Sequence, residues 1–162
     1  MLPESVRVVQ EDWSLVPISR WMEKLEETLQ TIGAPVVLIA HSAGAITVAH
    51  WAASLRRSVH GALLVAPPDF EERLPPWLPG MDVVTEFGWA PTPRSRLPFP
   101  SVVVASRNDP FDHLQKTASY AASWGSRFVD AGNLGHINSE SGLGSWDEGL
   151  AILNDLVASS SR

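Results

Sequence analysis

Apolar residues fall along this chain in two rhythms. Ile18, Trp21, Leu25, Leu29 and Ile32 recur three or four apart, with Glu23, Lys24, Glu26 and Glu27 between them. That spacing predicts an amphipathic helix with one buried stripe, entered at Pro17 and stopped by Gly33. The second rhythm is unbroken. Residues 35–40 (PVVLIA), 60–66 (HGALLVA) and 101–105 (SVVVA) are short, mostly apolar runs. They are too short for ordinary helices and suit strands buried on both faces, the pattern of parallel strands joined by crossover helices. Residues 6–9 (VRVV) and 127–129 (RFV) predict two more short strands. After the first long run a helix is predicted to about residue 55, its face thinned by Ala45, Ala49 and Ala52 for close packing on a sheet. Another helix is predicted over 113–122. Ser145, Trp146, Asp147 and Glu148 have capping-box spacing, and Leu150, Leu153 and Val157 predict the stripe of a last helix. The whole predicts an α/β fold, a three-layer α/β/α sandwich with a mostly parallel sheet, in one domain over residues 1–162.

One stretch breaks both rhythms. Prolines crowd residues 67–100 and disfavour helices and central strands over most of it. A connection of that length is predicted to wrap the mouth of a site, with Trp77, Met81, Phe87 and Trp89 as contact points. A surface excursion pinned by the same side chains is the competing reading.

Composition narrows the classes of partner. Hydrophobic residues make up 44% of the 162 and charged residues 19%, a globular balance. The net charge of −6, with no basic cluster beyond Arg56-Arg57, argues against nucleic acid and anionic membranes. With no cysteine there is no disulfide, thiolate nucleophile or thiolate zinc site. His50, His60 and His113 show no metal-ligand spacing, so neither metal nor cofactor is expected. The chain has no apolar run of membrane-spanning length, and its first residues lack the basic start and apolar core of a secretion signal. A cytoplasmic location is the default expectation.

The candidate chemistry begins where the first long run meets His41-Ser42-Ala43-Gly44 and passes directly into a helix. A strand that turns into a helix at a serine flanked by small residues is a nucleophile elbow, a strained turn that tolerates little bulk. Gly44 supplies the small residue two positions on; Ala40 stands where the usual pattern has a second glycine. A helix N-cap is the other reading of Ser42.

The string VVLIAHSAGAITVAHWAA, followed by GALLVAPPD, SRNDPF and GNLGHIN, resembles the α/β-hydrolase superfamily. Within it, the chain is similar to the small serine hydrolases of the retinoblastoma-binding-protein-9-like (YdeN-like) family, from about residue 6 onward. In this fold class nucleophile, acid and histidine follow in that order at the carboxyl ends of strands. Ser42, Asp109 in SRNDPF and His136 in LGHIN meet both conditions, and the resemblance assigns them the same roles. Asp109 also reads as a turn former ahead of Pro110, and Asp130 competes as the acid. The Ala43 amide is expected to form part of an oxyanion hole. His41 is expected to make a structural hydrogen bond beside the serine, and His41, Trp77, Trp89, Phe111 and Trp146 are candidates to line a pocket. Relatives carry an extra strand, a glycine-containing loop and a helix before the region matching residues 6–13. The resemblance therefore implies a gap between residues 6–9 and 36–39, no evident second oxyanion donor, and a sequence that is part of a longer protein. It implies cleavage of a small ester or amide through an acyl-enzyme, closer to a carboxylesterase than a lipase. The alternatives are a binding module on the same scaffold, with a protein partner or homodimer, and an acyltransferase.

Overall fold

In the computed structural model, which describes residues 5–33, 35–54, 59–72 and 80–160, the three long apolar runs pair side by side. Strands β1 (Val37–His41), β2 (Gly61–Val65), β3 (Ser101–Ala105) and β4 (Arg127–Asp130) form one sheet in the order β1-β2-β3-β4. Every pairing is parallel, with Ile39 opposite Leu63, Leu63 opposite Val102 and Val102 opposite Arg127. Every residue of β2 and β3 is buried, whereas β1 and β4 each leave residues exposed. This explains why the two central strands read as uninterrupted apolar runs.

The pleat divides the core in two. Ala62, Leu64 and Val103 join the larger cluster, with Trp21, Leu25 and Leu29 of α1 (Ile18–Gln30), Ile46 and Ala49 of α2 (Ala43–Ala53), and Tyr120 and Trp124 of α4 (Leu114–Trp124). Leu63, Val65, Val102 and Val104 face the other way, against Leu153 and Leu156 of α5 (Asp147–Ser160). The described residues thus form three layers, with α5 over β2 and β3. Ile39, on the α5 side of β1, is 56% exposed and lines a cavity at that strand. Each fully buried leucine or valine contributes roughly 1.5–3 kcal/mol of transfer free energy.

The structure departs from the predicted elements in three places. Residues 6–9 form no strand, because no neighbouring strand offers them backbone partners; they run as irregular chain facing β1 across a cavity. Among the described residues, nothing pairs with the outer edge of β1. The proline-rich stretch holds a short helix, α3 (Met81–Glu86), and much of it belongs to the core: Val84, Trp89, Leu97 and Phe99 are buried. The Phe87 carbonyl accepts the Ile18 amide, so this segment caps α1, where Pro17 offers no side-chain cap.

At α5 the buried stripe is Gly149, Leu153 and Leu156, while Leu150 and Val157 are each 41% exposed. The predicted stripe is rotated because the Trp146 ring lies against Gly149, where any side chain would collide with it. The Ser145 hydroxyl donates to the Asp147 carboxylate, and the capping box forms earlier, at Asn138 and Ser141, over a short 3-10 turn.

Candidate active site

The sheet delivers three side chains to its carboxyl edge. Ser42 follows β1 directly, Asp109 lies four residues beyond the end of β3, and His136 six beyond β4. Ser42 sits at φ 55°, ψ −127°, in the left-handed half of the map where a side chain is strained. Its own N–H donates to the Val65 carbonyl, which anchors the turn to the next strand. Ala40 and Gly44 face each other beneath it: a methyl group built on Gly44 would stand 3.8 Å from the Ala40 methyl. That is ordinary contact, so two small residues share the space and alanine fits where the pattern has glycine.

The Ser42 hydroxyl does not cap α2. It lies 2.8 Å from His136 Nε2 instead. On the other side of the ring, His136 Nδ1 is 3.0 Å from Asp109 Oδ1 and 2.9 Å from Oδ2. Asp109 Oδ1 also accepts the Phe111 amide at 2.9 Å, so the residue makes its turn and holds the imidazole at once. The competing acid, Asp130, points elsewhere. Its carboxylate accepts the Gly132 amide and the Arg107 guanidinium, and these, the amide first, hold it below the usual carboxylate range. The structure therefore brings Ser42, His136 and Asp109 into one line and leaves Asp130 outside it. The Ala43 amide opens α2 directly beyond the serine.

The histidine loop is held by side chains that sequence reasoning did not single out. Ser106 Oγ accepts the Leu134 amide at 2.9 Å, and Asn108 Oδ1 accepts the Gly135 amide at 2.8 Å. Ser106 and Asn108 are themselves bonded at 2.9 Å. The signal was present in SRND, where polar residues precede the acid, but a turn explained them equally well. His41 Nε2 donates to the His136 carbonyl at 2.7 Å. Partial desolvation pushes the His41 imidazole below its ordinary range, and the hydrogen bond to the His136 carbonyl opposes that shift.

A cavity of about 810 Å³ begins at Ser42 and His136 and runs along the outer edge of β1. Its walls include Val6, Val8, Leu25, Leu29, Val36 and Ile39. Of the residues expected to line a pocket, His41, Trp89 and Phe111 do so. Phe111 also lies edge-on to His136, its ring centroid 4.4 Å away. Trp89 is fixed by a 2.7 Å bond from its indole N–H to the Val16 carbonyl. Trp146 packs with the α5 cluster instead, outside this cavity, and Trp77 lies outside the described residues. Among the described residues no group of histidine and carboxylate side chains could hold a metal ion, and no helix is long and apolar enough to cross a membrane.

A parallel sheet carrying a strained serine, a histidine and an acid at its carboxyl edge defines the α/β-hydrolase class. The family described as serine hydrolase matches residues 1–155, and the chain belongs to it. A YdeN-like hydrolase from Pectobacterium atrosepticum has 30% sequence identity over 95% of this chain and 76% of its own, with a TM-score of 0.80. The ydeN gene product of B. subtilis has 19% identity over 87% of this chain and 75% of its own, with a TM-score of 0.67. A monoacylglycerol lipase from Paleococcus ferrophilus has 14% identity over 90% of this chain and 77% of its own, with a TM-score of 0.65; at that identity the likeness is one of fold. Comparison with curated proteins finds no match. The chain is thus a hydrolase of the serine type.

Proposed function

We propose that the protein cleaves a small carboxylic ester or amide through an acyl-enzyme on Ser42, as a carboxylesterase. One observation carries the reading: the Ser42 hydroxyl is bonded to His136, which is bonded in turn to Asp109, while the helix cap that would give the serine a structural purpose is not made. In the reaction, Ser42 Oγ attacks the substrate carbonyl carbon as its proton passes to His136 Nε2. Asp109 holds the imidazole in the tautomer that leaves Nε2 free to accept, then stabilises the imidazolium. The Ala43 N–H donates to the developing oxyanion, with the charge favoured there by the start of α2. The tetrahedral intermediate collapses, the carbon–oxygen or carbon–nitrogen bond breaks, and the leaving group takes the proton from Nε2. Water then repeats the sequence and releases the free acid.

The end of the cavity beside Ser42, where Phe111, Trp89 and His41 line it, supports an acyl group entering there. Turnover of 4-nitrophenyl acetate and longer acyl esters by the parent and Ser42→Ala tests the reading. Loss of at least about 1,000-fold in kcat is expected for the variant, with free acid as the product. Retention of activity within tenfold would sink the assignment of Ser42, and transfer of the acyl group to an added alcohol in preference to water would make the protein a transferase.

A further inference from the structure

We infer that His41 is a positioning residue, which fixes the backbone of His136 and through it the distance from the imidazole to Ser42. The inference rests on the reading of Ser42 and His136 given above, and it assigns His41 more than a place in the pocket wall.

The histidine loop is under conformational load. Gly135 has φ 59° and Ile137 has φ 48°. A β-branched side chain at positive φ is an uncommon and costly state that persists only where the surroundings over-determine it. His136 therefore lies between two left-handed residues, and relaxation of Ile137 would turn the peptide that carries the His136 carbonyl. Three consecutive residues are held against that relaxation by side chains from two strand ends. Ser106 and Asn108, beyond β3, take the amides of Leu134 and Gly135. His41, the last residue of β1, donates to the carbonyl of His136 itself at 2.7 Å. The first two bonds set the approach to the histidine; of the three, the third holds the carbonyl of the peptide between His136 and strained Ile137, whose N–H donates to the Leu134 carbonyl at 3.2 Å.

The same bond ties the two moving parts of the chemistry together. His41 is covalently next to Ser42, and its ring centroid lies 4.8 Å from that of His136. The nucleophile and its base are therefore registered through one short path, from the Ser42 backbone through the His41 imidazole to the His136 carbonyl. Because a carbonyl can only accept, the His41 ring carries a hydrogen on Nε2, and a side chain with a donor at that reach is required. Glutamine supplies such a donor at nearly the same distance from Cα. Phenylalanine keeps the ring volume and supplies none.

Steady-state hydrolysis of 4-nitrophenyl acetate by the parent, His41→Phe, His41→Ala and His41→Gln tests the inference, together with the rate at which a fluorophosphonate labels Ser42. Misplacement of a reacting group by about 1 Å can cost on the order of 100-fold. His41→Phe and His41→Ala are expected to lose roughly 10- to 100-fold in kcat with KM changed by less than about threefold, and to label Ser42 more slowly by a similar factor. His41→Gln is expected to recover most of both. Circular dichroism and thermal melting identify the folded variants, and either Phe or Ala suffices. Parent-like kcat in a folded Phe or Ala variant would overturn the inference, as would a glutamine variant no better than phenylalanine or a loss confined to KM. Failure of the parent itself to label at Ser42 would instead overturn the reading on which it rests.

Discussion

Replacing Asp109 by asparagine removes one charge and almost no volume, so its effect isolates what the carboxylate does to His136. The oxygen at the Oδ1 position has a second obligation, since it accepts the Phe111 amide at 2.9 Å. An asparagine at this buried position keeps its oxygen there and places its NH2 group where Oδ2 now stands, 2.9 Å from His136 Nδ1. Two N–H groups cannot face each other. The Oδ1 position also lies 3.0 Å from Nδ1 but is engaged by the Phe111 amide. The NH2 group therefore biases the imidazole toward a lone pair at Nδ1 with its hydrogen on Nε2, where it can no longer accept the Ser42 proton. The charge that stabilises the imidazolium is lost as well. In the general serine–histidine–aspartate template this substitution costs about 10⁴ in kcat, which corresponds to about 5.4 kcal/mol at 1.36 kcal/mol per decade. The same order is expected here, with the melting temperature nearly unchanged because the Phe111 bond survives. Turnover of an activated ester across pH, alongside thermal melting, is the assay. An Asp109→Asn variant within tenfold of the parent near neutral pH would refute the tautomer reasoning and leave Asp109 as a turn former only.

Two predictions concern stability. Burial pushes the Asp112 carboxyl up to about 7 from 3.8; the His113 amide opposes the rise, Asp69 and Asp109 add to it, and Lys116 opposes it. The folded state thus keeps a proton that the unfolded chain has lost between about pH 4 and 7, so this group's contribution falls as pH rises through that window, by at most about 1.4 kcal/mol per unit. Asp112→Asn mimics the protonated form and can still accept the Thr117 hydroxyl, so its stability relative to the parent should grow from pH 4.5 to 7.5; an equal difference in Tm at both values would refute it. Gly149→Ala should destabilise by about 1–3 kcal/mol despite alanine's better helix propensity, because the new methyl meets the body of the Trp146 ring. Chemical denaturation measures this, and a stabilised variant would show that the ring yields freely.

The parts of this fold that were legible in the sequence are those governed by local rules. β2 and β3 are buried on both faces and so read as pure apolar runs, and α1 buries the stripe its spacing announces. Ser42, Asp109 and His136 were legible because strand ends and turns mark them, although their bonding partners were not. What could not be read depends on neighbours. Residues 6–9 have a strand's composition, but a strand exists only where another strand completes it. The rotation of α5 is decided by one ring resting on one glycine, and α3 lies in a stretch where proline density argued against any helix. The pins on the histidine loop were hidden for the same reason. Ser106 and Asn108 look like ordinary turn formers until Leu134 and Gly135 arrive from another part of the chain.

The central claim is that the Ser42 hydroxyl is an activated nucleophile. Intact-mass analysis after treatment with a fluorophosphonate, followed by peptide mapping, tests it most directly. One adduct per chain, located on Ser42 and absent from Ser42→Ala, is the predicted result. A folded parent that takes no adduct, or a Ser42→Ala variant that takes one as readily, would contradict it.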